Sequence, residues 1–210
     1  MRFREAPATY AIAALTILVS AAVLLFVAPD FAVPAGGFIP ARVTGVLAGD
    51  PRFPIPAWLT PLSATLLHGG WVHLLFNMVM LIYCGRQTER ALAAGSIVTL
   101  YLIGAYAAAA GQWAENPGAM EPMIGASGAI SAIVAAYALL YGRNRARRIG
   151  PVPAGLLHAL WLGAAWIAIN LMMEFVTVTG SPIAVGAHIG GFVVGLVLTR
   201  PLLRWRYRNA

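Results

Sequence analysis

The sequence has no lysine, a single cysteine and only seven acidic residues in 210 positions, and just 10% of its side chains are charged. Each shortage excludes something. Cys84, alone, allows no intrachain disulfide and no cysteine-based metal cluster. Water-soluble domains carry about 25% charged residues, so this chain cannot coat a soluble surface of its size. The net charge of +7 comes entirely from arginine. Those arginines stand in small groups between apolar stretches and form no continuous stripe for nucleic acid. His68 and His73 are five apart, no His-Glu-x-x-His occurs, and no carboxylates accompany them, so a metal hydrolase is not supported.

What is abundant is apolar sequence, 60% of the chain. It predicts an all-α membrane protein, one domain over residues 1–210 with no separate soluble part. Six segments are apolar and continuous enough for helices: about 9–28, 71–85, 91–113, 124–141, 154–175 and 183–203. A hydrocarbon core needs about 20 residues of helix, and helices satisfy their own backbone polar groups in lipid. The first segment exceeds the ~7–15-residue core of a signal peptide, which favours a retained helix. Residues 29–67 differ, with seven prolines that break helix propagation. Phe31, Phe38, Phe53 and Trp58 make that loop too apolar for a solvated linker, so it is expected to lie on the membrane with short helical turns.

Arginine placement sets the expected orientation. Arg2, Arg4, Arg86, Arg90, Arg143–Arg148 and Arg200–Arg208 fall on one side, and only Arg42 and Arg52 on the other. The positive-inside rule then puts both termini in the cytoplasm, most simply in a bacterial inner membrane. The 143–148 loop is expected to set that topology and to touch anionic lipid. No internal repeat suggests a transporter.

Polar groups inside the spans carry the functional signal, because they are costly there. His73 and Asn77 are four apart, on one helical face of the second segment. Ser127 opens the fourth segment within Gly125-Ala126-Ser127-Gly128, and His188 lies in the sixth, ahead of Gly191 and Gly195. Counted from the arginines at ~1.5 Å per residue, Ser127 lies roughly 24 Å above Arg143, and His188 and His73 reach similar levels. Three helices thus deliver polar side chains to one depth, and small residues let their backbones approach. A histidine can take the proton that makes a serine hydroxyl nucleophilic. Ser127 and His188 form a candidate dyad. No carboxylate at that level completes a triad. His73, the Asn77 amide and the Ser127 backbone N–H are candidate oxyanion donors.

His68-x4-His73-x3-Asn77, Gly125-x-Ser127-Gly128 and Ala187-His188-x2-Gly191-x3-Gly195, in this order on the second, fourth and sixth segments, resemble the rhomboid family of intramembrane serine proteases. The likeness runs from about Thr60 to Leu198. It implies a six-span rhomboid-like bundle with a long membrane-associated first loop, Ser127 as nucleophile, His188 as general base, and His73 and Asn77 as oxyanion donors. It also implies His68 as an outer histidine ordering a polar cavity, and Phe76 beside the gap between the second and fifth helices through which substrates pass. The implied substrates are transmembrane helices, cleaved without metal or organic cofactor. Gly125 is expected to leave room at the oxyanion, and Gly128 to relieve packing beside the sixth helix. Two positions depart from the pattern. The first loop lacks a Trp-Arg pair, since Trp58 and Arg42 stand apart, and Ser131 occupies an often aromatic position that would support the base. The rival readings are a catalytically silent, client-binding relative, which typically lacks the serine or histidine, and a channel, which needs no glycine-flanked serine. His158, near the start of the fifth segment, is expected to be a packing or interfacial residue.

Overall fold

The structure is a computed structural model; it describes residues 5–45, 47, 50–142, 150–177 and 184–208, with the backbone alone over 170–177. The expectation for the 143–148 loop lies outside the described residues.

Six helices of fifteen residues or more make up the body, and no β-strand occurs among the described residues: α1 (Pro7–Phe26), α5 (Trp71–Leu92), α6 (Ala94–Glu115), α7 (Ser127–Tyr141), α8 (Ala154–Thr177) and α9 (Val185–Arg206). Three short helices, α2 (Pro29–Gly36), α3 (Pro40–Val43) and α4 (Thr60–Ser63), lie in the loop after α1. Taken singly, α1, α6 and α9 are long and apolar enough to cross a membrane. Helix α5 meets that measure together with the Ala57–Leu66 turns, from which it is bent by 91°.

Helix α1 is inside out by the standard of a soluble protein. It buries Thr9, Ala13, Thr16 and Ser20, one stripe at helical spacing, and exposes Leu15, Leu18, Leu25 and Phe26. Water would penalise that arrangement by the cost of wet apolar surface; lipid does not, and small buried residues draw the helix close to its neighbours.

Several boundaries differ from the apolar segments, each for a local reason. Helix α5 continues to Leu92, seven residues past the end of its apolar run, because Arg86-Gln87-Thr88-Glu89-Arg90 are helix-compatible although polar. A single residue, Ala93 at φ 72°, separates α5 from α6. Helix α7 starts at Ser127 itself, since Gly125 at φ 111° cannot belong to a right-handed helix.

That polar end of α5 has a task. Glu89 is buried and accepts from the backbone N–H groups of Ala8 (3.0 Å) and Thr9 (2.8 Å) and from the Thr9 hydroxyl (2.6 Å). It caps the otherwise unpaired N-terminus of α1 from another helix. Gly85, one turn earlier, makes this possible: a Cβ there would lie 2.8 Å from Thr9 Cγ2. Glu89→Ala strands three donors and is expected to cost about 2–4 kcal/mol, read as a fall in thermal midpoint in detergent or vesicles, with Glu89→Gln intermediate. An unchanged midpoint would show that the cap is dispensable.

Helix α7 is the hub. Every residue from Ser127 to Ala136 is buried, and α5, α6, α8 and α9 pack around it. At fifteen residues it is about 22 Å long, shorter than the ~30 Å hydrocarbon core, so it cannot reach both faces. The loop before it is tied to the first loop by backbone hydrogen bonds. Phe38 and Met123 exchange N–H···O bonds of 2.9 and 2.8 Å, Ala41 N–H donates to Ala119 O, and Gly125 N–H to Ala64 O.

Candidate active site

Ser127 is the first residue of α7, and its Oγ lies 2.9 Å from His188 Nε2, in the first turn of α9. The pair is buried. The two helices meet at backbone distance because α9 presents glycine: a Cβ on Gly191 would fall 1.9 Å from the Gly128 carbonyl oxygen, and one on Gly195 2.2 Å from that of Ala132. The opposite face of α9 is equally bare, with Gly186 and Gly190 against Gly111 and Ala107 of α6. Helix α9 is thus wedged between α6 and α7 with its imidazole aimed at the serine.

Gly128 serves a different neighbour from the one expected. A Cβ there would meet Ala108 Cβ of α6 at 2.5 Å, whereas α9 lies 3.7 Å away at the Ala187 carbonyl. Its smallness is required mainly by the third long helix, and the α9 contact is made through its carbonyl.

Gly125 lies beside His73 and Ser127. The position of a Cβ on Gly125 is 2.9 Å from His73 Nε2 and 3.9 Å from Ser127 Oγ. The missing side chain leaves a space shared by these groups. His73 Nδ1 accepts from Gly69 N–H at 3.4 Å, which leaves Nε2 to carry the proton that faces that space. Asn77, on the same face one turn on, is fully buried and donates from Nδ2 to the His73 carbonyl at 2.9 Å.

His68 lies behind this row. Its Nδ1 is 2.9 Å from Ser20 Oγ of α1, and its Nε2 accepts from the Ala126 N–H at 3.5 Å, directly ahead of the serine. Its ring meets that of His73 edge-on, centroids 4.9 Å apart. The hydroxyl of Ser20 also reaches the Leu66 carbonyl at 2.8 Å, so α1 braces the turn that leads into α5.

Phe76 of α5 stacks on Trp166 of α8, centroids 5.9 Å apart and rings 14° from parallel. Trp166 does more than stack. Its indole N–H donates to Ser131 Oγ at 2.7 Å, and the Ser131 hydroxyl donates to the Ser127 carbonyl at 2.8 Å. His188 Nδ1, by contrast, is buried with no hydrogen-bond partner within 3.5 Å among the described residues. Among the described residues no three His, Cys, Asp or Glu side chains converge as a metal site would need. His158 packs its ring across Gly142, beyond the far end of α7.

Trp166, Ser20 and Glu89 were not singled out by the sequence. Ser20 carried a faint signal, a hydroxyl inside an apolar run; Trp166 carried none, since aromatics are common throughout these segments.

The first loop is also anchored without a Trp-Arg pair. Arg42 donates through Nη2 to the Ile55 carbonyl and lies over the Phe53 ring, 4.7 Å from its centroid. Partial burial lowers the Arg42 pKa from its usual value.

The rhomboid-domain family profile matches residues 56–205, most of the chain and all of the residues around Ser127 and His188 except Ser20 of α1. The chain belongs to the rhomboid family. Curated rhomboid relatives are distant in sequence. The chain is 28% identical over 144 residues to the rhomboid protease GlpG of Photorhabdus laumondii, covering 69% of this chain and 47% of that protein. It is 28% identical over 150 residues to the rhomboid proteases GlpG of Yersinia enterocolitica and Yersinia pestis, covering 70% of this chain and 48% of each. This rhomboid therefore spans about half the length of the curated relatives it matches.

Proposed function

We propose that this rhomboid is an intramembrane serine endopeptidase that cleaves transmembrane helices through a Ser127–His188 dyad. The observation that carries the reading is the buried 2.9 Å contact between Ser127 Oγ and His188 Nε2, made between two helices packed at backbone distance. In the acylation step Nε2 accepts the hydroxyl proton while Oγ bonds to the scissile carbonyl carbon, whose π electrons move onto oxygen. Collapse of that intermediate expels the amine, which takes the proton back from His188. Water then repeats the cycle on the acyl-enzyme, with His188 again as base, and releases the acid.

The developing oxyanion needs donors placed before it forms. His73 Nε2–H, the second hydrogen of the Asn77 amide and the Ser127 backbone N–H are assigned that role, and the bare Cα of Gly125 leaves its space. His68, tied to Ser20 and to Ala126 N–H, orders the outer part of the cavity. The gap between α5 and α8, closed by the Phe76–Trp166 stack, is the route by which a substrate helix reaches the serine.

The arginine pattern gives this site a topology. On a six-span reading with the arginine-rich ends inward, both termini lie in the cytoplasm and the N-terminal end of α7 lies submerged in the outer half of the bilayer; the shortness of that helix supports this. No cofactor is invoked.

A fluorophosphonate probe applied to the purified protein in vesicles is expected to modify Ser127, located by mass spectrometry of the labelled peptide. The same preparation is expected to cleave members of a panel of single-span substrates. Protein that neither labels nor cleaves would overturn the reading in favour of a silent client-binding rhomboid.

A further inference from the structure

The dyad is supported unevenly. On the base side, His188 Nδ1 is buried with no hydrogen-bond partner within 3.5 Å among the described residues, and position 131 offers the imidazole a serine and no ring. On the nucleophile side a continuous path exists. Trp166 N–H donates to Ser131 Oγ, and Ser131 O–H donates to the carbonyl of Ser127 itself, at 2.7 and 2.8 Å. Both Trp166 and Ser131 are buried.

The path matters because of where Ser127 stands. It is the first residue of its helix, and two residues earlier the backbone runs through Gly125 at φ 111°. No preceding helical turn braces it. A serine hydroxyl bonded to the carbonyl four residues back competes with the helix ladder and tends to bend it. With an indole N–H seated on its lone pair, that hydroxyl keeps one rotamer, and each bond polarises the other. The tilt of the Ser127 peptide is thereby set from α8, a helix that contributes nothing to the reacting atoms.

We propose that Trp166 and Ser131 are positioning residues, which hold Ser127 at the distance His188 can serve and make that alignment conditional on α8 being seated on α7. This rests on the dyad reading above and extends it. The nucleophile is aligned when the substrate-facing helix is home, and loses its brace when that helix moves away.

Two variants separate the path from ordinary packing. Trp166→Phe keeps an aromatic ring facing Phe76 but has no N–H to donate. Ser131→Ala removes the relay hydroxyl. Each is expected to lower kcat on a transmembrane substrate about fivefold to tenfold, the scale of one lost hydrogen bond, with KM nearly unchanged. The rate of labelling by a small fluorophosphonate, which needs no passage between α5 and α8, should fall by the same factor. The double variant should fall no further than either single one, because one path is broken once.

Unchanged labelling and kcat in both variants would overturn the proposal. So would a rise in KM alone, which would make Trp166 a wall of the substrate path, additive losses in the double variant, or losses that merely track a lowered thermal midpoint. A wild type that neither labels nor cleaves removes the dyad reading itself. A labelling wild type with indifferent variants removes only the positioning role.

Discussion

Ser127→Ala is expected to abolish fluorophosphonate labelling and to lower cleavage of transmembrane substrates by at least about a thousandfold in kcat. On α7 the neighbouring hydroxyl is already committed. Ser131 Oγ, the nearest hydroxyl on the same helix face, already accepts from Trp166 and donates to the Ser127 carbonyl. His188→Ala should produce a loss of the same order, because without a base the hydroxyl keeps its proton. The double variant should be no worse than either single one, since the two groups act as a unit. Ser127→Ala is not expected to unfold the protein. It deletes one buried hydroxyl and the single 2.9 Å contact it makes with His188 Nε2. A parallel thermal melt makes the comparison clean. Labelling that persists in Ser127→Ala would mean that another residue is the nucleophile.

The second large effect is geometric. Gly191→Ala places a methyl group 1.9 Å from the Gly128 carbonyl oxygen and 3.0 Å from its carbon. Both are backbone atoms at the heart of the bundle, so neither yields as a flexible side chain would. Helices α7 and α9 must part, and His188 lies three residues before the wedge. A hydrogen bond of 2.9 Å has little room to lengthen before it ceases to be one at about 3.5 Å. Misplacement of reacting groups by about 1 Å costs about a hundredfold in rate, and over-packing itself costs about 1–3 kcal/mol. Gly191→Ala is therefore expected to lose about two orders of magnitude in kcat along with a lower thermal midpoint. Gly95→Ala is the control. A Cβ there meets nothing within 4 Å, and activity and stability should hold. Equal behaviour of the two variants would show that close approach of α9 is not what assembles the site.

Much of this site could be read from the sequence because its members announce themselves by cost. A histidine or asparagine within an apolar helix must be paired or useful, so His73, Asn77 and His188 stood out, and Ser127 stood out between glycines. The fold class followed from the same source, since little but helix can satisfy a backbone in lipid. What stayed hidden were contacts with no spacing signature. Trp166 and Ser131 are 35 residues apart and Ser20 and His68 are 48 apart, on helices whose mutual rotation no local pattern encodes. The extension of α5 to Leu92 was missed because polarity marks where lipid ends, and a helix need not end there. Gly128 was assigned to the wrong neighbour for a related reason: sequence shows that a residue is small, but not which of four surrounding helices requires it.

The Phe38–Met123 pairing has a consequence for how this protein can vary. Its hydrogen bonds join peptide groups, as do those of the Ala41–Ala119 and Gly125–Ala64 contacts beside it, and peptide groups are common to every residue except proline on the donor side. These hydrogen bonds are therefore indifferent to spelling, while Phe38, Ala64 and Met123 add a small apolar contact beside them. Exposed side chains along residues 29–67, such as Phe31, Val43 and Trp58, are free to vary while the lead-in to Ser127 keeps its shape. A loop without the Trp-Arg pair is what such a tether permits, and grafting loops of foreign sequence but equal backbone course is a practical route to new substrate preferences.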